Sequence, residues 1–415
     1  MLGCESQVSA LHYWLMTLRS APITSLTLGL LTFLSFAIAS YVYVVDLSAR
    51  PLIDFEVYMS AGRSLLAGEN IYAHPYAVTD RAGRLIPLYY LYPPLLAHLL
   101  SKCALVDLGT LKRLWCVLNF CSTCISILCI AKILERSWWS SYSYLKRVAI
   151  VGFFTFCFEP IYVGVGDGQV TAIVLALLSL FMLACISGRD LVAGSLLAVA
   201  IQVKMSPALL LLGPVLFGKW RTISSCLMTV AALSLFTAWD LGSTQVFADF
   251  RGSLFNTIDD QLLGGFAFNI VMHRALLGPF GLAQSVLARW LFKAALLLLT
   301  VMGAVGIHRQ SGGSYLRSLA FLATCMVFIS PIIWFHHLAW VLLPIAVLSM
   351  KPAETADARM KSLTICLGLY FALSQTYLLM HWTMRLAPEL MPISLAMPPL
   401  LLLLTAGLVF RQKAP

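Results

Sequence analysis

Charge is what this chain has least of. Only 11% of its 415 residues are Asp, Glu, Lys or Arg and 60% are hydrophobic, whereas soluble domains carry about 25% charged residues. That balance excludes an ordinary soluble enzyme. Several uncharged runs reach the roughly 20 residues that cross a hydrocarbon core of about 30 Å, and a helix satisfies its own backbone there. The expected fold class is all-α, a polytopic integral membrane protein.

Other absences narrow the reading. The 11 cysteines form no CxxC and no Cys/His ligand spacing, and most of them (Cys116, Cys121, Cys124, Cys129, Cys157, Cys185, Cys226, Cys325, Cys366) lie inside apolar runs. They read as small hydrophobes, not as disulfides or metal ligands. No Gly/Ser linker, low-complexity tract or internal repeat divides the chain, so residues 1–415 form one domain. Neither a nucleotide-sugar fingerprint nor an acidic metal-binding pair is present, and no metal or cofactor is implied. The net charge of +10 is carried by short loops between apolar runs. It orients the chain in a bilayer and gives no reason to expect nucleic acid.

What is present is a series of apolar runs. The first, Pro22 to Val45, is too long for a signal-peptide core and reads as a retained signal anchor. Others fall near 88–106, 111–134, 147–166, 169–187, 190–218, 222–240, 283–306, 317–334, 336–350, 362–380 and 391–410, which gives about 10 to 12 spans. Two are irregular: 88–106 contains "YPP" and Lys102, and 190–218 is broken by "KMSP" (204–207), where proline disfavours helix. With 88–106 not crossing and 190–218 turning back near Lys204, the basic loops holding Lys132, Arg147, Arg189, Lys219, Arg309 and Lys351 share one face, expected to be cytoplasmic. The unusual polar residues gather on the other: the 51–110 loop, "GDGQ" (166–169), Lys204, the 241–282 loop and "SPIIWFHH" (330–337).

Asp54 and Glu56 stand in "PLIDFEVYMSAGRSLLAG", just past the first apolar run. Glu56 reads as a solvated loop acid. Asp54, among the large apolar side chains of "IDFEVY" and ahead of "AGRSLLAG", which reads as a short amphipathic helix lying on the membrane, is a candidate general base. Lys204 inside an apolar run costs about 2.5–3.5 kcal/mol on insertion scales, so a partner or an anionic ligand is expected. Asp167 and Gln169 in "GVGDGQV" open a helix whose exposed amides favour an anion. Adjacent His336 and His337 point in different directions and lack the spacing of a metal motif. "LYYLYPP" (88–94), with Tyr92, is an interfacial belt or a platform for a sugar or lipid.

Together these motifs, with "YPPLLAHLL", "RLWCVLNF", "GRDLVAGSLLAVAIQVKMSPALLL" and "SPIIWFHHLAW", resemble the polyprenyl-phosphate-mannose-dependent alpha-mannosyltransferases of the GT-C superfamily of membrane glycosyltransferases, over about residues 50–345. The resemblance implies interfacial helices in the first outer loop and an active site on the extracytoplasmic face of an integral membrane protein, in a bacterial plasma membrane. It implies Asp54 as catalytic base and Lys204, His336, His337, Gln169, Arg63 and Arg274 around the donor phosphate and sugar. Glu56, Tyr58, Tyr92, Trp334 and Asn269 are then expected to contact acceptor or lipid. The partners it implies are a polyprenyl-phosphate sugar donor, a glycolipid or glycan acceptor, and membrane lipid. One departure concerns the acceptor: where the family has Asn-Gln-Ser before an arginine, "FNIVMHR" keeps Asn269 and Arg274 only.

The chemistry needs only one carboxylate. Glycosidases use a second to protonate a poor leaving group, but a sugar phosphate departs as a stabilised anion. Two other readings stay open at the level of sequence: another polyprenyl-phosphate glycosyl donor, such as an arabinofuranosyl one, and a transporter or flippase, which predicts inverted repeats and midplane polar sites.

Overall fold

A computed structural model of the chain describes residues 22–80, 83–256, 278–281, 285–310, 314–329, 334–350, 356–386 and 391–411. Most of it is helix. Among the described residues four helices are long and apolar enough to cross a membrane, or five if one bent pair counts as a single span, and several shorter apolar helices accompany them.

Helix α1 (Pro22–Tyr41) ends in a widened turn (Val42–Asp46), and the chain then leaves the apolar layer. The first loop holds α2 (Ile53–Leu66) and α3 (Pro94–Ser101). These two cross where Gly62 lets the backbones meet: a Cβ there would lie 3.0 Å from the Ser101 nitrogen. The run 88–106 therefore yields an eight-residue helix, about 12 Å long and too short to span. Between α2 and α3 an antiparallel hairpin, β1 (Tyr76–Thr79) and β2 (Leu85–Leu88), adds a small sheet that the apolar patterning does not announce.

Helix α4 (Leu108–Leu134), capped by Asp107 accepting from the Thr110 amide, runs away from this loop. The run 147–166 is not one straight helix. It divides into α5 (Tyr144–Phe156) and α6 (Glu159–Gly166), bent by 60°. Pro160 at the start of α6 is the physical cause, because its ring excludes the preceding helical turn. Helix α7 (Thr171–Ile186) leads to Arg189, and α8 (Asp190–Val203) returns.

The break at Lys204 has a clear topology. After it come a 3₁₀ turn (Ser206–Leu211), α9 (Leu212–Leu216) and α10 (Trp220–Leu241). Ser225 Oγ donates to the Leu191 carbonyl at 2.7 Å, Ser195 bonds Thr229 at 3.2 Å, and Gln202 Nε2 bonds Ser234 at 2.8 Å. The register climbs together, so α8 and α10 are parallel and residues 204–219 must carry the chain back. Lys219 accordingly lies 3.9 Å from Asp190, at the start of α8. Small residues allow this pairing, since a Cβ at Gly194 would sit 2.3 Å from the Thr222 oxygen, as in close membrane helix packing.

The rest is α11 (Gln245–Asn256), α12 (Val286–Gln310), α13 (Tyr315–Ile329), a 3₁₀ turn (Phe335–Val341) running into α14 (Leu342–Ser349), then α15 (Ala356–Ser374), α16 (Thr376–Leu386) and α17 (Met391–Arg411). The basic ends meet at one pole. Arg147 is buried and donates to the carbonyls of Ala131, Trp139 and Tyr142. Trp138 Nε1 bonds the Ser349 carbonyl at 2.8 Å, and the Phe217 ring lies 4.6 Å from that of His308. The opposite pole carries the first loop and the Lys204 break.

Candidate active site

Asp54 occupies the first turn of α2, where Leu52 supplies no side-chain cap. The orphan amide of Asp54 is taken instead by the Asp167 carbonyl, at 2.8 Å. That turn, after α6, can come so close because residue 168 is glycine: its φ is +77°, and a Cβ would fall 2.7 Å from Phe55 Cβ and 2.9 Å from Leu52 Cβ. Trp115 of α4 fixes the same turn by donating from Nε1 to the Gly168 carbonyl at 2.8 Å. Three elements therefore lock the base end of α2.

The Asp54 side chain keeps part of its surface open yet is closely enclosed, and its pKa is pushed up to about 7. Burial is the largest cause, the negative charge of Asp167 the next; a hydrogen bond from Gln169 and the positive charge of Lys204 work against them. A carboxyl group placed there titrates near neutral pH, where a general base is most effective.

Lys204 faces it from the break after α8, in extended backbone (φ −155°, ψ 129°). Its Nζ lies 3.4 Å from the Tyr92 hydroxyl, 5.0 Å from the Tyr92 ring centroid and 5.6 Å from that of Trp340. The two rings hold the ammonium by cation–π attraction. Beside it stand His336 and His337, both buried, with ring centroids 4.4 Å apart. His337 Nδ1 accepts the Trp334 amide at 2.8 Å, so in the neutral ring the proton sits on Nε2. Neither Nε2 has a hydrogen-bond partner among the described residues. Buried polar atoms of this kind call for a water or ligand partner.

The remaining expected residues divide. Gln169 is buried, and its Oε1 accepts from Tyr92 at 2.7 Å and from Tyr58 at 3.1 Å. Tyr58 and Tyr92 thus lie behind Asp54, in a group of edge-on rings with Tyr90 and Trp115, not on an open platform. Glu56 is paired with Lys112 of α4 at 2.6 Å. Arg63 is exposed in the last turn of α2, about 13 Å along the helix from Asp54 and about 180° around it. Trp334 is half-buried at the head of the histidine turn. Asn269 and Arg274 lie outside the described residues.

Sequence reasoning read Asp167 as part of an anion-favouring helix start and not as a second carboxylate beside Asp54, and it passed over the Trp340 ring. The signals were there: the glycines flanking Asp167 mark a close backbone approach, and Trp340 stands one helical turn after the histidines.

No curated protein matches the chain. The model of glycosyltransferase family 87 matches residues 90–333, more than half of the sequence, and includes Tyr92, Asp167, Gln169 and Lys204. Asp54 and the histidine pair flank that stretch and reach the same place through the fold. The apolar spans and this match agree: the chain belongs to glycosyltransferase family 87 and is a membrane glycosyltransferase.

Proposed function

We propose that the protein moves a hexosyl group, mannosyl first among the candidates, from a polyprenyl-phosphate donor to the hydroxyl of a glycolipid or glycan, with inversion at the anomeric carbon. The observation that carries this reading is the opposition of one near-neutral carboxyl group, Asp54, to one ring-held ammonium, Lys204.

The acceptor oxygen attacks the anomeric carbon while its proton passes to Asp54. The bond from that carbon to the phosphate oxygen breaks, and its electron pair leaves with the phosphate. Lys204 balances the departing charge, and Nε2–H of His337 is free to donate to the sugar or the phosphate. No acid is needed at the leaving group, and a preorganised cation in a poorly hydrated site acts without reorganisation. The charge pattern supports an extracytoplasmic site, because Lys132, Arg147, Lys219 and Arg309 stand at the pole away from Asp54 and such ends stay in the cytoplasm.

The test is transfer by the purified protein from polyprenyl phosphate mannose to candidate glycolipids. Asp54→Asn should lose at least a hundredfold in kcat, within the usual range for removing a general base. Transfer by the variant at the parent rate would remove Asp54 from the role. If only a pentosyl donor were consumed, the sugar assignment would change; if no polyprenyl-linked sugar were consumed with any acceptor, the donor class would fall.

A further inference from the structure

With Lys204 protonated and Asp54 ionised, the state in which a base acts, the two are joined by a chain of polar groups that has one direction. An ammonium only donates and an ionised carboxylate only accepts. Lys204 Nζ reaches the Tyr92 hydroxyl, whose single proton must then go on to Gln169 Oε1, 2.7 Å away. Tyr58 adds a second hydroxyl to the same oxygen at 3.1 Å. Both lone pairs of that oxygen are then occupied, and the amide nitrogen is left to face the Asp54 carboxylate, which it meets as a side-chain hydrogen bond. A flipped amide would set its oxygen against the carboxylate with no proton between them.

We propose that Tyr58 and Tyr92 are positioning residues for Asp54, acting through Gln169: the two hydroxyls hold the amide so that its N–H, not its carbonyl, is presented to the base. This rests on the reading of Asp54 as the base. Neither tyrosine is expected to bond the sugar, since both hydroxyl protons go to Gln169 Oε1 and the Tyr92 oxygen accepts from Lys204.

The other charged and titratable groups facing Asp54 are Asp167, from the turn after α6, and Lys204, from the break after α8. The ionisable hydroxyls of Tyr58, on its own helix, and Tyr92, from the segment before α3, also face it. His336 and His337 face Lys204. Lys204 loses its bond in Tyr92→Phe and keeps it in Tyr58→Phe, so in the latter a change in Asp54 reports on the amide. Tyr58→Phe isolates it best, because the lysine's bond goes to Tyr92.

The experiment titrates the Asp54 carboxyl in the purified full chain by infrared spectroscopy, the band being the one lost in Asp54→Asn. With the hydroxyls gone the amide is free to turn, the carboxylate loses a donor, and the midpoint should rise by about one pH unit in Tyr58→Phe/Tyr92→Phe and by less in Tyr58→Phe. The same substitutions in a Gln169→Leu background should add nothing, an outcome that a general loosening of the fold would not give. Transfer should fall about tenfold at pH 6 and recover above pH 8, one unit being a tenfold change in the ionised fraction. An unmoved midpoint, or an equal further shift in the Gln169→Leu background, overturns the proposal. The titration needs no turnover: a moved midpoint without consumption of polyprenyl-linked sugar keeps the clamp and removes the donor assignment, and transfer with an unmoved midpoint does the reverse.

Discussion

Asp54 and Glu56 are two residues apart, which on a helix is about 200° of rotation, and this alone gives them different fates. Glu56 turns to Lys112, where both side chains are about four-fifths buried. Glu56→Gln would leave that lysine short of its counter-charge and should cost about 1–3 kcal/mol of stability while leaving kcat near the parent value, which a melting curve beside an activity assay checks. Asp54 turns to the site and is held there against its own ionisation. Its folded pKa of about 7 stands above the ordinary carboxylate value of 3.8, so the native state binds the proton more tightly than the unfolded chain does. The stability this contributes is complete below the ordinary carboxylate range and is lost as pH rises through 7. Asp54→Asn carries no such loss. Its melting temperature should therefore gain on the parent's between pH 5 and pH 8 even as transfer collapses, and a difference that stayed constant with pH would contradict the burial of the carboxyl group.

At the scale of elements, two breaks make the site. The first ends α8 at Lys204, before Pro207; the second precedes the 3₁₀ turn Phe335–Val341. Each is followed by tightly wound turns that lead into a short α-helix. The first break was legible, because lysine and proline inside a long apolar run cannot both sit in a straight helix. So was the failure of 88–106 to cross, with Pro93, Pro94 and Lys102 in it. The hairpin and the α5–α6 bend were not read, since a four-residue strand carries little periodic signal and Pro160 was masked by continuous hydrophobicity. The close docking of α2 on the turn at Gly168 was also invisible, because only the folded chain shows what a side chain there would meet. Gly168→Ala should both strain a positive φ and drive a methyl group into Phe55 and Leu52. A cost of about 1–3 kcal/mol is expected, with a fall in kcat because the amide of Asp54 is anchored beside it. Gly29→Ala, in α1 with nothing within 4 Å, is the control and should change neither melting temperature nor rate.

For the whole molecule, the issue is which pole faces which side of the membrane. Sequence alone predicted that the unusual polar residues share a face, and the fold gathers Asp54, Asp167, Gln169, Lys204, His336 and His337 from four separate segments at one pole. The sugar was not legible, because hydroxyl recognition depends on where single polar atoms point and no motif encodes that. Orientation is a separate physical quantity, set by the lysines and arginines of short loops, and it decides whether a lipid-linked donor in the outer leaflet can reach Asp54. Leu85 in the hairpin is 73% exposed at the site pole, and Ser140 is exposed beside buried Trp139 at the basic pole. A membrane-impermeant thiol reagent applied to intact cells should label Leu85→Cys above the background of the native cysteines. Ser140→Cys should be labelled only after permeabilisation. The reverse pattern would put Asp54 in the cytoplasm, where the positive-inside argument forbids it, and would require the donor to be presented from the inner leaflet.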